Sequence, residues 1–412
     1  MSAALDVASI KEDFPILRRE VHGKRLVYLD SASSSQKPTL VLDAMDEYYR
    51  AHHANVHRGV YTIAEEATSA FEGARRRIAR FVGASSAEEI VYVRNATEAI
   101  NLVAYSWARA NLGPGDVIVL TEMEHHANVV PWHILAAERD VELRWIPLTP
   151  DYQLDLTNFD RLIEGAKLLA VTAMSNVLGT VNDIRPLADA AHAAGARVLV
   201  DACQSVPHLP CDVQAWDADF VAFSAHKMLG PTGIGALWAR RALLEEMPPF
   251  LGGGEMIRDV RLDGFTPNDV PWKFEAGTPA IAEAIGWGAA IEYLETLGMD
   301  AVRAHEKQLT GYTLRALEDR FEGRLHLYGP TDVDVRGGAV SFLFDGIHAH
   351  DISQVLDEDA VCVRAGHHCA KPLMRTLGVP ATTRASFYVY NDEADADAFV
   401  DSLARAEKFF AI

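Results

Sequence analysis

Positive charge is scarce in this 412-residue chain: 38 Lys and Arg stand against 58 Asp and Glu, a formal net charge of −20. Nucleic acids and anionic membrane surfaces select basic patches, so neither is expected as a partner. Long apolar runs are missing too. No window approaches the roughly 20 apolar residues of a membrane span, and Met1-Ser2-Ala3-Ala4-Leu5-Asp6 lacks the basic and apolar regions of a secretory leader. A cytoplasmic protein is expected. Cys203, Cys211, Cys362 and Cys369 are the only cysteines. They are too sparse for a disulfide framework and read as thiols. No GxxxxGK followed by Ser or Thr occurs, and the lone Gly233-Ile234-Gly235 leads into a β-favouring run rather than a helix, so a nucleotide-binding fold has little support. There is no internal repeat and no low-complexity segment.

An apolar fraction of 49% can fill substantial cores. From Glu89 to Trp238, short β-rich runs such as Val117-Ile118-Val119-Leu120 and Leu168-Leu169-Ala170-Val171 alternate with helical ones. That alternation predicts an α/β fold with a mainly parallel sheet covered on both faces. Pro248 to Pro279, rich in Gly, Pro and charge, is expected to be a long irregular excursion. From about Met299 onward, helices mixed with separate short strands suggest a smaller α+β layer. The expected division is a large domain over 27–297 and a small one formed by 1–26 with 298–412.

The chemistry gathers around Phe223-Ser224-Ala225-His226-Lys227. Apolar Asp219 to Phe223 runs out into Gly230-Pro231-Thr232-Gly233, which places Lys227 at the carboxyl end of a strand, where open α/β sheets put their ligands. A lysine amine there can condense with a carbonyl. One strand earlier, Arg197-Val198-Leu199-Val200-Asp201 ends on an acid whose burial requires a cation. A pyridinium nitrogen is such a cation, and pyridoxal phosphate enzymes pair it with an acid while a lysine holds the aldehyde. The third requirement is a phosphate cup. Asn95-Ala96-Thr97-Glu98 follows the strand-like Ile90 to Val93 and opens a helical run, offering free N–H groups and a threonine hydroxyl. The Asn95/Glu98 spacing equally fits an ordinary helix cap.

With these features stand Tyr28-Leu29-Asp30-Ser31-Ala32, Val56-His57-Arg58-Gly59, Glu124-His125-His126-Ala127-Asn128, Ser175-Asn176-Val177-Leu178-Gly179, Phe274-Glu275-Ala276-Gly277-Thr278-Pro279 and Arg364-Ala365-Gly366-His367-His368-Cys369-Ala370. From about Asp13 to the C-terminus, the chain resembles the fold-type I pyridoxal phosphate enzymes of the class V aminotransferase superfamily, and within it the group II, SufS-like cysteine desulfurases, which also act as selenocysteine lyases. The resemblance implies the PLP-dependent transferase fold, with a seven-stranded sheet. It implies that Lys227 carries the cofactor and moves protons, Asp201 keeps its ring nitrogen protonated, His125 lies against the ring and relays protons, and Gln204 meets the ring's phenolate oxygen. Thr97, Ser224 and His226 would hold the phosphate, together with Thr278 from a neighbouring subunit, hence a homodimer. Asn95-Ala96-Thr97 stands where many relatives have Gly-Thr-Thr, so Ala96 can contribute only its backbone N–H. Asn176 and Arg384 would take the substrate carboxylate, with Arg364 nearby.

Cys369 chooses the reaction. Gly366 places it on a short loop after Val361-Cys362-Val363, and neighbouring His367, His368 and Lys371 are expected to raise its thiolate fraction. By the resemblance it attacks the sulfur of L-cysteine, keeps it as a persulfide, releases alanine and passes the sulfur to an acceptor of the SufU or SufE kind for iron–sulfur cluster assembly. Cys203 and Cys362 read as packing residues. Zinc is disfavoured because adjacent His125/His126 and His367/His368 lack the usual ligand gap; no metal is expected. Selenocysteine lyase, an aminotransferase or epimerase of the same fold, and a cofactor-free scaffold remain alternatives.

Overall fold

The computed structural model describes residues 5–410. Seven strands form the central sheet: β1 (Ile90–Val93), β2 (Val117–Thr121), β3 (Glu142–Ile146), β4 (Ala166–Thr172), β5 (Arg197–Asp201), β6 (Phe220–Ser224) and β7 (Gly235–Ala239). Their order is β1-β7-β6-β5-β4-β2-β3. All neighbours run parallel except β7, which is antiparallel to both β6 and β1. The sequence dictates this: β1, β2, β6 and β7 are buried along their whole length, as unbroken apolar runs must be when helices cover both faces.

The register sets up the site. Thr172 on β4 lies opposite Asp201 on β5, and Asp201 opposite Ala222 on β6, so β4, β5 and β6 end side by side. Helix α1 (Ala96–Leu102) starts just beyond β1, at the same edge of the sheet. Gly235, at the start of β7, makes the close approach possible: a Cβ there would stand 2.8 Å from Asn95 Cα and 2.8 Å from the Phe223 carbonyl oxygen. Any larger residue would push the start of α1 away from the end of β6.

A smaller α+β layer follows, with strands β8 (Leu325–Tyr328), β9 (Ala339–Phe344), β10 (Arg364–Gly366) and β11 (Thr382–Ser386) in the antiparallel order β8-β9-β11-β10. Leu317, Phe342, Phe399 and Leu403 form its core. Near the N-terminus, Phe14 packs edge-on against Tyr390 (4.8 Å between ring centres) and Tyr293 (5.9 Å), while Val27–Tyr28 pairs with Val361–Cys362. Residues 1–4, 411 and 412 of the expected small domain lie outside the described residues. The segment Pro248 to Pro279 differs from the irregular excursion expected of it, for it contains a hairpin of Ile257–Arg261 with Gly264–Pro267. Its many glycines and prolines masked β-favouring Val260 and Phe265 flanking the turn.

Candidate active site

At the carboxyl ends of β4, β5 and β6 opens a cleft of ≈ 240 Å³ lined by Lys227, Asp201, His125, Gln204, Ser224, His226, Ala96, Thr97, Asn176, Arg364 and Arg384. Residues scattered over most of the chain therefore converge on one space. Asp201 is buried, at 4% exposure, yet forms no salt bridge with any described residue; its Oδ1 accepts one hydrogen bond, from the Cys203 backbone N–H at 3.0 Å. A buried carboxylate left without a cation is costly. The site thus fits a group that brings its own positive charge to Asp201.

At the start of α1, the Ala96 N–H donates to Ser224 Oγ (2.9 Å) and the Glu98 N–H to Asn95 Oδ1 (3.0 Å). Asn95 is thus the ordinary helix cap that its spacing allows, and Thr97, in the first turn of α1, lines the cleft. Burial, reinforced by Lys227 and Lys37, lowers the His226 pKa to about 4, so this residue is a neutral hydrogen-bonding group rather than a cation. Burial, then Lys227, likewise lowers His125 to about 4. Its Nδ1 accepts from the Ala127 N–H (3.1 Å), which puts the ring proton on Nε2. Gln204 gives one amide hydrogen to the Ala32 carbonyl (2.8 Å) and keeps a second free.

Arg384 is fully buried. Nη1 donates to the Asn176 carbonyl (2.8 Å), and Nη2 to Asp30 Oδ1 (3.1 Å) and Ser33 Oγ (2.9 Å). Its Nε has no partner. Of the five guanidinium hydrogens, Nε–H and one on Nη1 are therefore unshared. The Asn176 amide donates to the His368 carbonyl (2.7 Å), tying this end to the cysteine loop.

Cys369 lies half-buried on that loop with φ 56°, next to His368 at φ 48°. Its surroundings differ from those expected. His368 is buried with Nε2 against Thr382 Oγ1 (2.9 Å), and burial, then Arg384, lowers its pKa to about 2. It cannot supply positive charge. His367 faces Cys369 as an acceptor, taking the Cys369 N–H on Nδ1 (3.2 Å). The cation at the thiol is instead Arg364, whose Nη2 lies 4.0 Å from Sγ. Sequence proximity misled because adjacent side chains in a left-handed turn, such as His368 and Cys369, need not point together.

Comparison with known proteins agrees with this geometry. Residues 27–399 match the family Aminotransferase class-V. The chain belongs to this family. A probable cysteine desulfurase of Streptomyces coelicolor is 52% identical over 98% of both chains. The apo structure of a cysteine desulfurase from Thermococcus onnurineus superposes with a TM-score of 0.94 at 39% identity, covering 99% of this chain and 100% of that one. An S-sulfonic acid form of an Escherichia coli cysteine desulfurase gives 0.91 at 38%, with the same coverage. The fold is the PLP-dependent transferase fold, and the cofactor is pyridoxal phosphate.

Thr278, expected to act from a neighbouring subunit, lies outside the Lys227 cleft of its own chain, in a second one with Tyr92, Arg94 and Phe274. Cys203 packs against the apolar core, as expected, and also lines the cleft, where burial and then Asp201 push its thiol pKa up. Among the described residues no His, Cys, Asp and Glu side chains converge as a metal-ligand set.

Several supporting residues went unassigned in the sequence. Glu124 sits buried behind His125 and accepts from Thr121 Oγ1 (2.7 Å), Asn128 Nδ2 (2.8 Å) and the Thr172 N–H (2.8 Å), and burial pushes its pKa up to about 8. Lys37 donates to the His226 carbonyl (3.0 Å), and burial lowers its pKa to about 7. Glu124 stood in the quoted Glu-His-His motif, which was its one signal. Nothing local to Lys37 placed it against the lysine turn.

The three depressed histidines have a consequence for stability. Their folded pKa values, about 4 for His125 and His226 and about 2 for His368, lie below the ordinary 6.5. Between pH 6.5 and 4 the unfolded chain takes up protons that the folded one does not, so this stability is intact above 6.5 and declines as pH falls. Each histidine contributes a slope of up to about 1.4 kcal/mol per pH unit. Urea unfolding of cofactor-free protein is expected to show a midpoint falling from pH 7 to 4.5, with a flatter curve for His368→Asn. A midpoint constant over that window would contradict the burial argument.

Proposed function

We propose a residue-by-residue account of a cysteine desulfurase reaction at this cleft. The chain is a pyridoxal phosphate-dependent cysteine desulfurase, converting L-cysteine to L-alanine. Asp201 would hold the cofactor's ring nitrogen, Gln204 its phenolate oxygen, and Ser224, His226, Thr97 and the Ala96 segment its phosphate. When bound, the cofactor supplies an electron-withdrawing ring that takes up the pair released when a bond at the substrate Cα breaks.

Arg384, through its unshared hydrogens, and Asn176 take the α-carboxylate, which fixes the Cα proton towards Lys227. Lys227 Nζ removes and returns that proton. His125, neutral with its proton on Nε2, would lie against the cofactor ring and could pass a proton onward. Cys369 Sγ, beside the Arg364 guanidinium, attacks the substrate sulfur: an S–S bond forms, the Cβ–S bond breaks and its electron pair stays with the carbon fragment. After protonation that fragment leaves as alanine, and Cys369 holds the persulfide.

The observation carrying this account is the buried, unpaired Asp201 sharing a cleft with Lys227 and Arg384. The division into a 27–297 domain and a 1–26 plus 298–412 domain belongs to the same reading, as do the homodimer and the acceptor of the SufU or SufE kind. The dimer reading is supported by Thr278 standing away from its own cleft and by exposed Val260, Leu262 and Phe265 on the hairpin. Alanine formation from L-cysteine, with and without candidate acceptors, tests the reaction. Sedimentation as a single 45.2 kDa chain would overturn the dimer.

A further inference from the structure

We propose that Ser33 is a positioning residue that sets the two arginines for the substrate α-carboxylate; this rests on the desulfurase reading above. Arg364 and Arg384 are direct partners across antiparallel β10 and β11. Like charges opposite one another on neighbouring strands repel, so an arrangement that turns both into one cleft needs a group between them. Ser33 is that group. Its Oγ accepts from Arg364 Nη1 (2.7 Å) and Arg384 Nη2 (2.9 Å) and donates to Asp30 Oδ1 (2.7 Å). One donor and two lone pairs are all a hydroxyl has, and all are engaged. The same Asp30 Oδ1 pairs with Arg384 (3.1 Å), so Ser33 relays this carboxylate's negative charge to Arg364. Without the hydroxyl, Arg364 loses its anchor on the cleft floor and Arg384 is held by Asp30 and the Asn176 carbonyl alone. Ser33 lines the cleft, but its Oγ is fully engaged by Asp30 and the two arginines, so its effect falls on how well the carboxylate is held rather than on the chemistry that follows.

The test compares holoenzyme of the wild type, Ser33→Ala and Ser33→Thr. In Ser33→Ala the KM for L-cysteine and the calorimetric Kd for L-alanine are each expected to rise about 10-fold, with kcat within about 2-fold of wild type, because the lost hydrogen bond to a charged group weakens the hold on the carboxylate equally in the bound ground state and in the transition state. Ser33→Thr, which keeps the hydroxyl, is expected to recover both constants to within about 3-fold. Binding of cysteamine, which lacks the carboxylate, is expected to be unchanged in Ser33→Ala. Wild-type constants in Ser33→Ala, a fall in kcat matching that in kcat/KM, a Ser33→Thr as impaired as Ser33→Ala, an equal loss for cysteamine, or loss of cofactor absorbance would each overturn the assignment. A wild type releasing no alanine would remove the desulfurase reading and Ser33's role with it. An active wild type beside an unaffected Ser33→Ala would remove only the latter.

Discussion

Lys227→Ala is expected to lower alanine release from L-cysteine by at least about 10³-fold, the scale on which a group that both bonds a cofactor and moves a proton contributes. Lys227 stands one short turn beyond β6. It is the one lysine lining a cleft that also contains a buried unpaired acid. Holoprotein of the wild type should be yellow, and borohydride should bleach it and fix the cofactor to a peptide containing Lys227, read by mass spectrometry. In Lys227→Ala no such adduct should form. Lys227→Arg separates charge from chemistry, since a guanidinium keeps the positive charge but stays protonated and cannot condense with an aldehyde. Activity in Lys227→Arg within tenfold of wild type would mean that Lys227 serves only as a charge, and the account would fail.

Cys369→Ala carries the second large effect: alanine release from L-cysteine should again fall about 10³-fold, while the cofactor's absorbance is unchanged. The loop geometry supports that separation, because Cys369 bonds to the body of the protein through its backbone. Its carbonyl accepts from the His126 N–H (2.7 Å) and its N–H donates to His367. Removing Sγ therefore leaves the loop's ties in place. A selenolate leaves more readily than a thiolate, so the same variant should retain much more activity towards L-selenocysteine. Equal residual activity on both substrates would contradict a nucleophilic Cys369. Keto-acid or racemised products in the wild type would point to an aminotransferase or epimerase.

Much of this protein was legible before any fold was known. The unbroken apolar runs of β1, β2 and β6 state that both sheet faces are covered, and period and punctuation place Asp201 and Lys227 at strand ends. Asp201 and Lys227 are local statements, since each depends on a few residues of β propensity followed by a break. The hairpin at Ile257–Pro267 was missed because glycine and proline count as breakers wherever they fall, whereas a paired strand tolerates them at its ends.

What the sequence determined by itself, then, was the α/β fold, the family and the strand-end placement of the lysine and acid proposed to react, because these follow from short-range pattern and motif. What only the tertiary structure decided was which charges meet. Arg364 rather than His368 stands at Cys369, Ser33 and Asp30 hold the arginine pair, and Lys37 braces the lysine turn. Apart from Arg364 and Cys369, five positions apart, these contacts join residues separated by 189 to 354 positions, and electrostatic effect depends on distance and burial, neither of which a linear order of residues contains.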